Sequence, residues 1–487
     1  MALETCGIHV HSNLNFDQNE IYFKKILIPF FIRFFLSYCI GSGYILLEAI
    51  SKSHLIFDGE VLNRYEVSHP YRKGAVMLSE KDKLDTMATL GIDLSRVQDL
   101  DILMERILTE ARRFVNADAG SIYIREKDLL HFTYTQNDTL QQRLGDGEKL
   151  IYSTFQIPIN EESIAGYVAA TGKPLNLPDV YSIDPACPYH FSKGFDKKTR
   201  YTTRSELTIP LENHNNDIIG ILQIINAEDD AKNVIAFSQN DEKMMLHFAS
   251  IAAVALERAQ MTRAILLRMI RMAEMRDPKE TGAHVNRVGG YAVELYEKWA
   301  RRRDLNQKEV DKHRDVLRMA AMLHDVGKIA ISDLILKKPS RFNKEEYEIM
   351  KQHTVLGAQL FSDLQSDFDE AAGQVALNHH ERWDGEGYPG HVDVQTGSAL
   401  KGFEQSDGRP IGKKTDEIPL YGRIVALADV YDALSSARVY KEAWDESEVL
   451  AKVEEESGRH FDPELVEIFF SSLNVLRAVQ QRYRDKN

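Results

Sequence analysis

Between residues 97 and 116 the segment VQDLDILMERILTEARRFVN places Leu100, Leu103, Ile107, Leu108, Ala111 and Val115 at helical spacing, with charged residues on the other side. Short runs of β character follow at Gly120–Arg125, Leu129–Tyr134, Glu206–Leu211 and Ile218–Asn226. Between them Ile164–Thr171 has helix character and stops at Gly172 and Pro174. Turn residues at Asn213–Asp217 join two of the strands, so the stretch predicts an antiparallel sheet carrying helices, an α+β domain over 81–242. From Asp241 to about Arg276 no Gly or Pro interrupts the chain. There Met244, Phe248, Ile251, Ala255, Ala259, Ile265, Met269 and Met272 mark an apolar face, and 243–276 is expected to be a connecting helix. That face suits pairing of two protomers as a signalling helix, so a homodimer is expected. Residues 277–487 are helical by pattern, without a convincing strand.

The first 80 residues stand apart. Ile26 to Ile50 (ILIPFFIRFFLSYCIGSGYILLEAI) is long enough to span a bilayer at about 20 residues. Arg33 and Pro29 interrupt it, and an arginine in mid-helix costs roughly 2.5–3.5 kcal/mol on insertion scales. No small-residue cleavage site follows. The segment is read first as a non-essential or misassigned extension, with Met77 a natural start, and second as a single membrane anchor on an otherwise cytoplasmic protein.

Composition narrows the function. With 60 Lys plus Arg against 74 Asp plus Glu, the net charge of −14 argues against a DNA or RNA polymer as partner, since that needs a basic surface. Three cysteines, Cys6, Cys39 and Cys187, make neither a disulfide framework nor a thiolate metal site. The histidines of the C-terminal half, by contrast, fall into clusters. Glu280 and His284 are four apart, on one face if a helix has begun there. His324-Asp325 follows the apolar run VLRMAAML; neighbours on a straight helix cannot face one metal, but can serve two if the aspartate bridges them. His353, the pair His379-His380, and Asp429 on the apolar helix RIVALADVYDAL complete the set. Any one alone is more simply a hydrogen-bonded core residue. Five such motifs in one helical domain are another matter, because unpaired buried charge is costly and coordination compensates it. Imidazole and carboxylate without thiolate favour Fe, Mn or Zn.

Two resemblances follow from these residues. The stretch 85–260 resembles a GAF domain in GSIYI, IAGYVAATGKPLNLPDV, ELTIPL and DIIGILQIINA followed by FSQNDEKMM. It implies a sensory module with an unknown small ligand. Asn176, Phe195 and Asp196 lie where nucleotide-binding members carry pocket residues, although a solvated loop is the simpler reading; Cys187 is read as inert. The stretch 280–450 resembles the HD-GYP subfamily of HD-domain metal-dependent phosphohydrolases, in DPKETGAHVNRV, LHDVGKIAISD, HTVLGAQL, NHHERWDGEGYP and ALADVYDALSSARVYKEA. His324-Asp325 is the HD doublet and Gly387-Tyr388-Pro389 the GYP motif. The resemblance implies hydrolysis of cyclic di-GMP to pGpG, in some members on to GMP. Its implied metal ligands are His284, His324, Asp325, His353, His379, His380 and Asp429. Glu280 matches the position associated with a third ion, so two or three divalent ions, Fe or Mn, are expected.

The implied chemistry assigns Asp325 to bridging, holding a metal-activated hydroxide, and Lys328 to the scissile phosphate. Arg438 and Lys441 match positions that contact the second phosphate. Tyr388 either packs on a guanine or packs its own loop. The resemblance also admits a diguanylate cyclase or an adaptor as partner. Two alternatives remain: an HD-superfamily phosphohydrolase acting on another nucleotide, and a non-catalytic cyclic di-GMP receptor or adaptor. One departure stands out. Residues 390–417, GHVDVQTGSALKGFEQSDGRPIGKKTDE, form an insertion directly after the GYP motif, so a place over the pocket is open to it.

Overall fold

The computed structural model describes residues 80–144, 155–274, 282–436 and 444–484. The apolar N-terminal stretch, Met77, Glu280, Arg438 and Lys441 lie outside the described residues. Among those that are described, no helix is long and apolar enough to cross a membrane.

The first domain is built on one antiparallel sheet. Helices α1 (Glu80–Ser95) and α2 (Leu100–Phe114) precede it, and the Asp99 side chain caps α2 by accepting from the amides of Asp101 and Ile102. The strands are β1 (Ala117–Glu126), β2 (Leu129–Asn137), β3 (Gln156–Pro158), β4 (Leu175–Leu177), β5 (Glu206–Glu212), β6 (Ile218–Glu228) and β7 (Val234–Ile235). They lie in the order β3-β2-β1-β6-β5-β4, with β7 on β6. Ile122 and Ile209 both oppose Leu222, which fixes the register of the three central strands. Alternation then sends Ile122, Leu207, Ile209, Leu222 and Ile224 to one face, where they pack on α2. Tyr123, Leu130, Phe132 and Ile221 take the other face and meet helix α3 (Ile164–Thr171). Ser163 caps α3, and Gly172 ends it at φ 70°, a left-handed position that suits glycine.

Helix α4, Gln239–Glu274, is shared between the domains. Its first part lays Phe248, Ala252, Ala255, Leu256 and Ala259 on the sheet and α2. Its last turns place Leu266 and Ile270 in the core of the second domain. Much of the apolar face expected to pair protomers is therefore used inside the chain. Leu246, Val254, Met261 and Met272 of α4, and Leu84 and Ile92 of α1, remain exposed.

The second domain is helical: α5 (Gly282–Arg301), α6 (Gln307–Met322), α7 (His353–Gln359), α8 (Asp367–Asn378), α9 (Leu420–Ser435) and α10 (Pro463–Arg482), with further helices between. Asn306, Ser366 and Asp462 cap α6, α8 and α10, and Pro463 opens α10 where its missing amide costs nothing. Its core joins Val288 and Tyr291 of α5, Leu317 and Ala321 of α6, Leu427 and Ala428 of α9, and Phe469 of α10.

The two sides of α4 make a direct test. Phe248 is fully buried and its ring lies 6.2 Å from that of Phe114. Phe248→Ala should cost about 3–5 kcal/mol in chemical denaturation. Val254→Ala, on a side chain 62% exposed, should change stability by less than about 0.5 kcal/mol. Equal effects would mean that the packed face has been misassigned.

Candidate metal centre

Five stretches of chain converge in the second domain, and four of them bring a histidine in a defined tautomer. Helix α6 ends at Met322, so His324 and Asp325 lie on the turn that follows, before a 3₁₀ segment at Val326–Ala330. The doublet thus escapes the straight-helix constraint. His324 Nδ1 lies 2.8 Å from the Ala321 carbonyl. His353 Nδ1 lies 2.7 Å from the Met350 carbonyl, and His379 Nδ1 lies 3.1 Å from the carbonyls of Val375 and Ala376. His284 Nδ1 lies 2.8 Å from a carboxylate oxygen of Asp432. These partners only accept, so each ring donates from Nδ1 and keeps its Nε2 lone pair for the centre.

The Nε2 atoms meet two aspartates. Asp325 Oδ1 lies 3.2 Å from His353 Nε2 and 3.6 Å from His379 Nε2, while Oδ2 lies 3.4 Å from His324 Nε2. Asp429 Oδ1 is 3.5 Å from His284 Nε2 and 3.8 Å from His324 Nε2. Most of these separations exceed a hydrogen bond. They suit donors that each stand about 2.1 Å from a shared ion. Two groups result: Asp325, His353, His379 and His380, and His284, His324 and Asp429. Asp325 and His324 are adjacent in the chain and stand one in each group, so the doublet joins them.

Electrostatics favour the ligand forms. Burial pushes the Asp325 carboxyl up, but the Lys328 ammonium and His324 outweigh it and hold the group well below the usual carboxylate range. Burial, with the neighbouring imidazoles, pushes His380 well below the usual histidine range, and His379 is lowered by burial as well. Both are neutral near pH 7, as coordination needs.

Lys328 Nζ donates to Asp325 Oδ2 at 2.6 Å, which puts the ammonium at the edge of the centre. The Tyr388 ring stacks on His380 with centroids 4.8 Å apart and an interplanar angle of 28°. Lys351 Nζ is 5.6 Å from the Tyr388 ring and 5.2 Å from that of Tyr347. Neither Lys351 nor Tyr347 carries a motif, and nothing in the sequence singles them out.

The insertion packs against the helices that carry the site. Its Val392 and Val394 pack on Val355 and Ala358 of α7 and on Leu377 of α8. Residues 355 and 358 lie on the side of α7 away from His353. Glu381, next to His380, receives the amides of Gly390 at 2.6 Å and Lys413 at 3.2 Å, which pins both ends of the insertion. Burial raises its carboxyl to about 7.

In the first domain, Asp196 is buried and locks its own loop, accepting from Thr203 N at 2.8 Å and from the Tyr181 hydroxyl at 2.8 Å. It does not sit in a solvated loop. Asn176 donates to Glu242 at 3.1 Å, and Phe195 is exposed.

Residues 281–434 match the family model of the HD domain and residues 99–256 that of the GAF domain. A segment that matches the GAF domain is thus followed by one that matches the HD domain. It is 33% identical over 296 residues to a cyclic di-GMP phosphodiesterase of Vibrio cholerae, covering 60% of this chain and 52% of that protein. A cyclic di-GMP phosphodiesterase of Thermotoga maritima is 37% identical over 216 residues, 44% of this chain and 50% of that one. A 3'3'-cGAMP-specific phosphodiesterase of Vibrio cholerae is 35% identical over 207 residues, 42% and 34% respectively. The chain spans about half the length, or less, of these curated relatives.

Close backbone approach holds Asp325 against His353. A Cβ on Gly327 would lie 1.9 Å from the His353 carbonyl oxygen and 2.4 Å from the Gly357 amide. Gly327→Ala should therefore push the doublet away from α7 and lower bound Mn²⁺, measured by elemental analysis after dialysis. Full metal content in a folded Gly327→Ala protein would contradict this account of how the site is held.

Proposed function

We propose that the chain is a metal-dependent phosphodiesterase that opens cyclic di-GMP to linear pGpG, in a second cut to GMP, under control of its GAF domain. The convergence of four Nε2 atoms on two half-buried aspartates carries this reading. The donor chemistry fits two divalent transition ions, Fe or Mn, with Glu280 available for a third. Those ions, when bound, supply a water acidic enough to give hydroxide near neutral pH and neutralise phosphate oxygens. Asp325 joins the two groups of ligands and fixes their separation. Lys328, held by Asp325, presents a fixed cation to the phosphate that gains charge during the reaction. Arg438 and Lys441 are assigned to the second phosphate. Tyr388, with one ring face against His380, is assigned to shaping the pocket.

A second cyclic dinucleotide is also a substrate to test, because one relative is named for 3'3'-cGAMP. Product chromatography with both dinucleotides, on protein loaded with Mn²⁺ or Fe²⁺, separates the two. Hydrolysis of neither, by protein with its metals bound, would leave a receptor as the surviving reading.

Two substitutions separate ligands from substrate contacts. His324→Ala or Asp325→Ala should lower metal content and abolish turnover. Lys328→Ala should keep its metals and lose on the order of 10²–10³ in kcat, the usual cost of one well-placed donor. Metal loss from Lys328→Ala, or wild-type turnover, would show that the roles are wrongly divided.

A further inference from the structure

Asp101, in the first turn of α2, belongs to the GAF domain, yet its partners are drawn from three other elements. Arg263 of α4 reaches its carboxylate at 2.9 Å, Arg482 of α10 at 2.7 Å, and Arg318 of α6 at 2.5 Å. The Tyr483 hydroxyl donates to it at 2.8 Å. Burial pushes this carboxyl up, but the three guanidiniums hold it well below the usual range. The contacts continue inward from Tyr483. Its backbone carbonyl receives Arg287 Nη1 at 2.9 Å, and Arg287 grips Asp432 through Nε at 2.6 Å and Nη2 at 2.9 Å. Asp432 in turn takes the proton of His284 Nδ1 at 2.8 Å. A second arm ends nearby, where Arg263 Nη2 donates at 2.7 Å to Asn286, two residues from His284 on α5.

The two ligand groups differ in what orients them. His353 and His379 are held by carbonyls of their own or the adjoining helical segment. His284 is held by a carboxylate whose further supports run through Arg287 and Tyr483 to the other domain. Orienting a histidine from its far nitrogen typically changes metal affinity by about 10- to 100-fold.

We propose that Asp101, acting through Tyr483, Arg287 and Asp432, is a positioning residue for His284, so that docking of the GAF domain sets the affinity of one ion site, that of His284, His324 and Asp429, and leaves the other to the HD domain. This rests on the metal-centre reading above. GAF-domain changes that loosen Asp101 then act by weakening one ion, with no contact to substrate.

The test is Mn²⁺ titration of the full, metal-stripped chain, following free Mn²⁺ by electron paramagnetic resonance, with circular dichroism to establish folding. Asp432→Asn should weaken one of two ions by about 10- to 100-fold. Asp101→Asn should weaken that same ion on the order of 3- to 30-fold and leave the other unchanged. Tyr483→Phe, which removes only a hydroxyl, gives the same direction if Asp101→Asn fails to fold. Glu105→Gln is the control: Glu105 pairs with Arg314 at 2.7 Å across the same domain boundary but lies off the path, and both ions should bind as in wild type. Unchanged affinities in Asp101→Asn and Tyr483→Phe, equal weakening of both ions, or the same loss in Glu105→Gln would each overturn the proposal. Failure of the wild-type chain to take up Mn²⁺ would instead overturn the metal-centre reading itself.

Discussion

The structure turns on the burial of imidazoles and carboxylates in one small volume. His324, His353 and His379 are at most 1% exposed. Such groups cannot be withdrawn from water without partners, since an unsatisfied polar atom in the interior costs on the order of 1–3 kcal/mol and a charge costs more. The helices answer half of this demand. Carbonyls one turn back take the Nδ1 protons of three rings, and Asp432 takes the fourth. The Nε2 atoms and the oxygens of Asp325 and Asp429 make up the other half, which a cation can satisfy. Much of the HD domain's packing can be understood as bringing these donors close enough together.

That requirement explains where small residues fall. Gly327 and Gly357 let the turn after the doublet rest on the backbone of α7. Gly422 does the same for α9 against α8, where a Cβ would lie 2.7 Å from Asn378 Cβ. A larger residue at any of these points would separate side chains that stand 3.2–3.8 Å apart. The apolar core has looser requirements, because aliphatic side chains can repack. The donor geometry cannot, and it sets the tolerances.

Much of this is legible in the sequence. Strand alternation and the Gly172 stop locate the sheet and α3, because those signals are local. The residues of the candidate centre stand out because ionisable groups interrupt otherwise apolar helices. Asp432 does not, although it lies one turn from Asp429; its meaning comes from His284 and Arg287, about 145 residues away. The apolar face of α4 is visible too, but the sequence cannot show what it covers. Phe248 and Ala259 pack on their own sheet, and Leu266 packs in the HD core. Asp196 looks solvated by composition and is buried because Thr203 and Tyr181 happen to close over it.

The contact between the domains is built differently from either core. Apolar packing along α4 gives it continuity, while Asp99, Asp101, Glu105 and Asp315 meet arginines and backbone amides across the seam. Asp315 is notable among them. It receives the amides of Gln98 and Asp99, and burial raises its carboxyl to about 6. Buried ion pairs add little net stability, since desolvation offsets most of their attraction, but a broken pair is expensive. A seam of this kind therefore tolerates one register and penalises its neighbours. The ion pairs thus specify how the two domains dock more than they stabilise the docked arrangement.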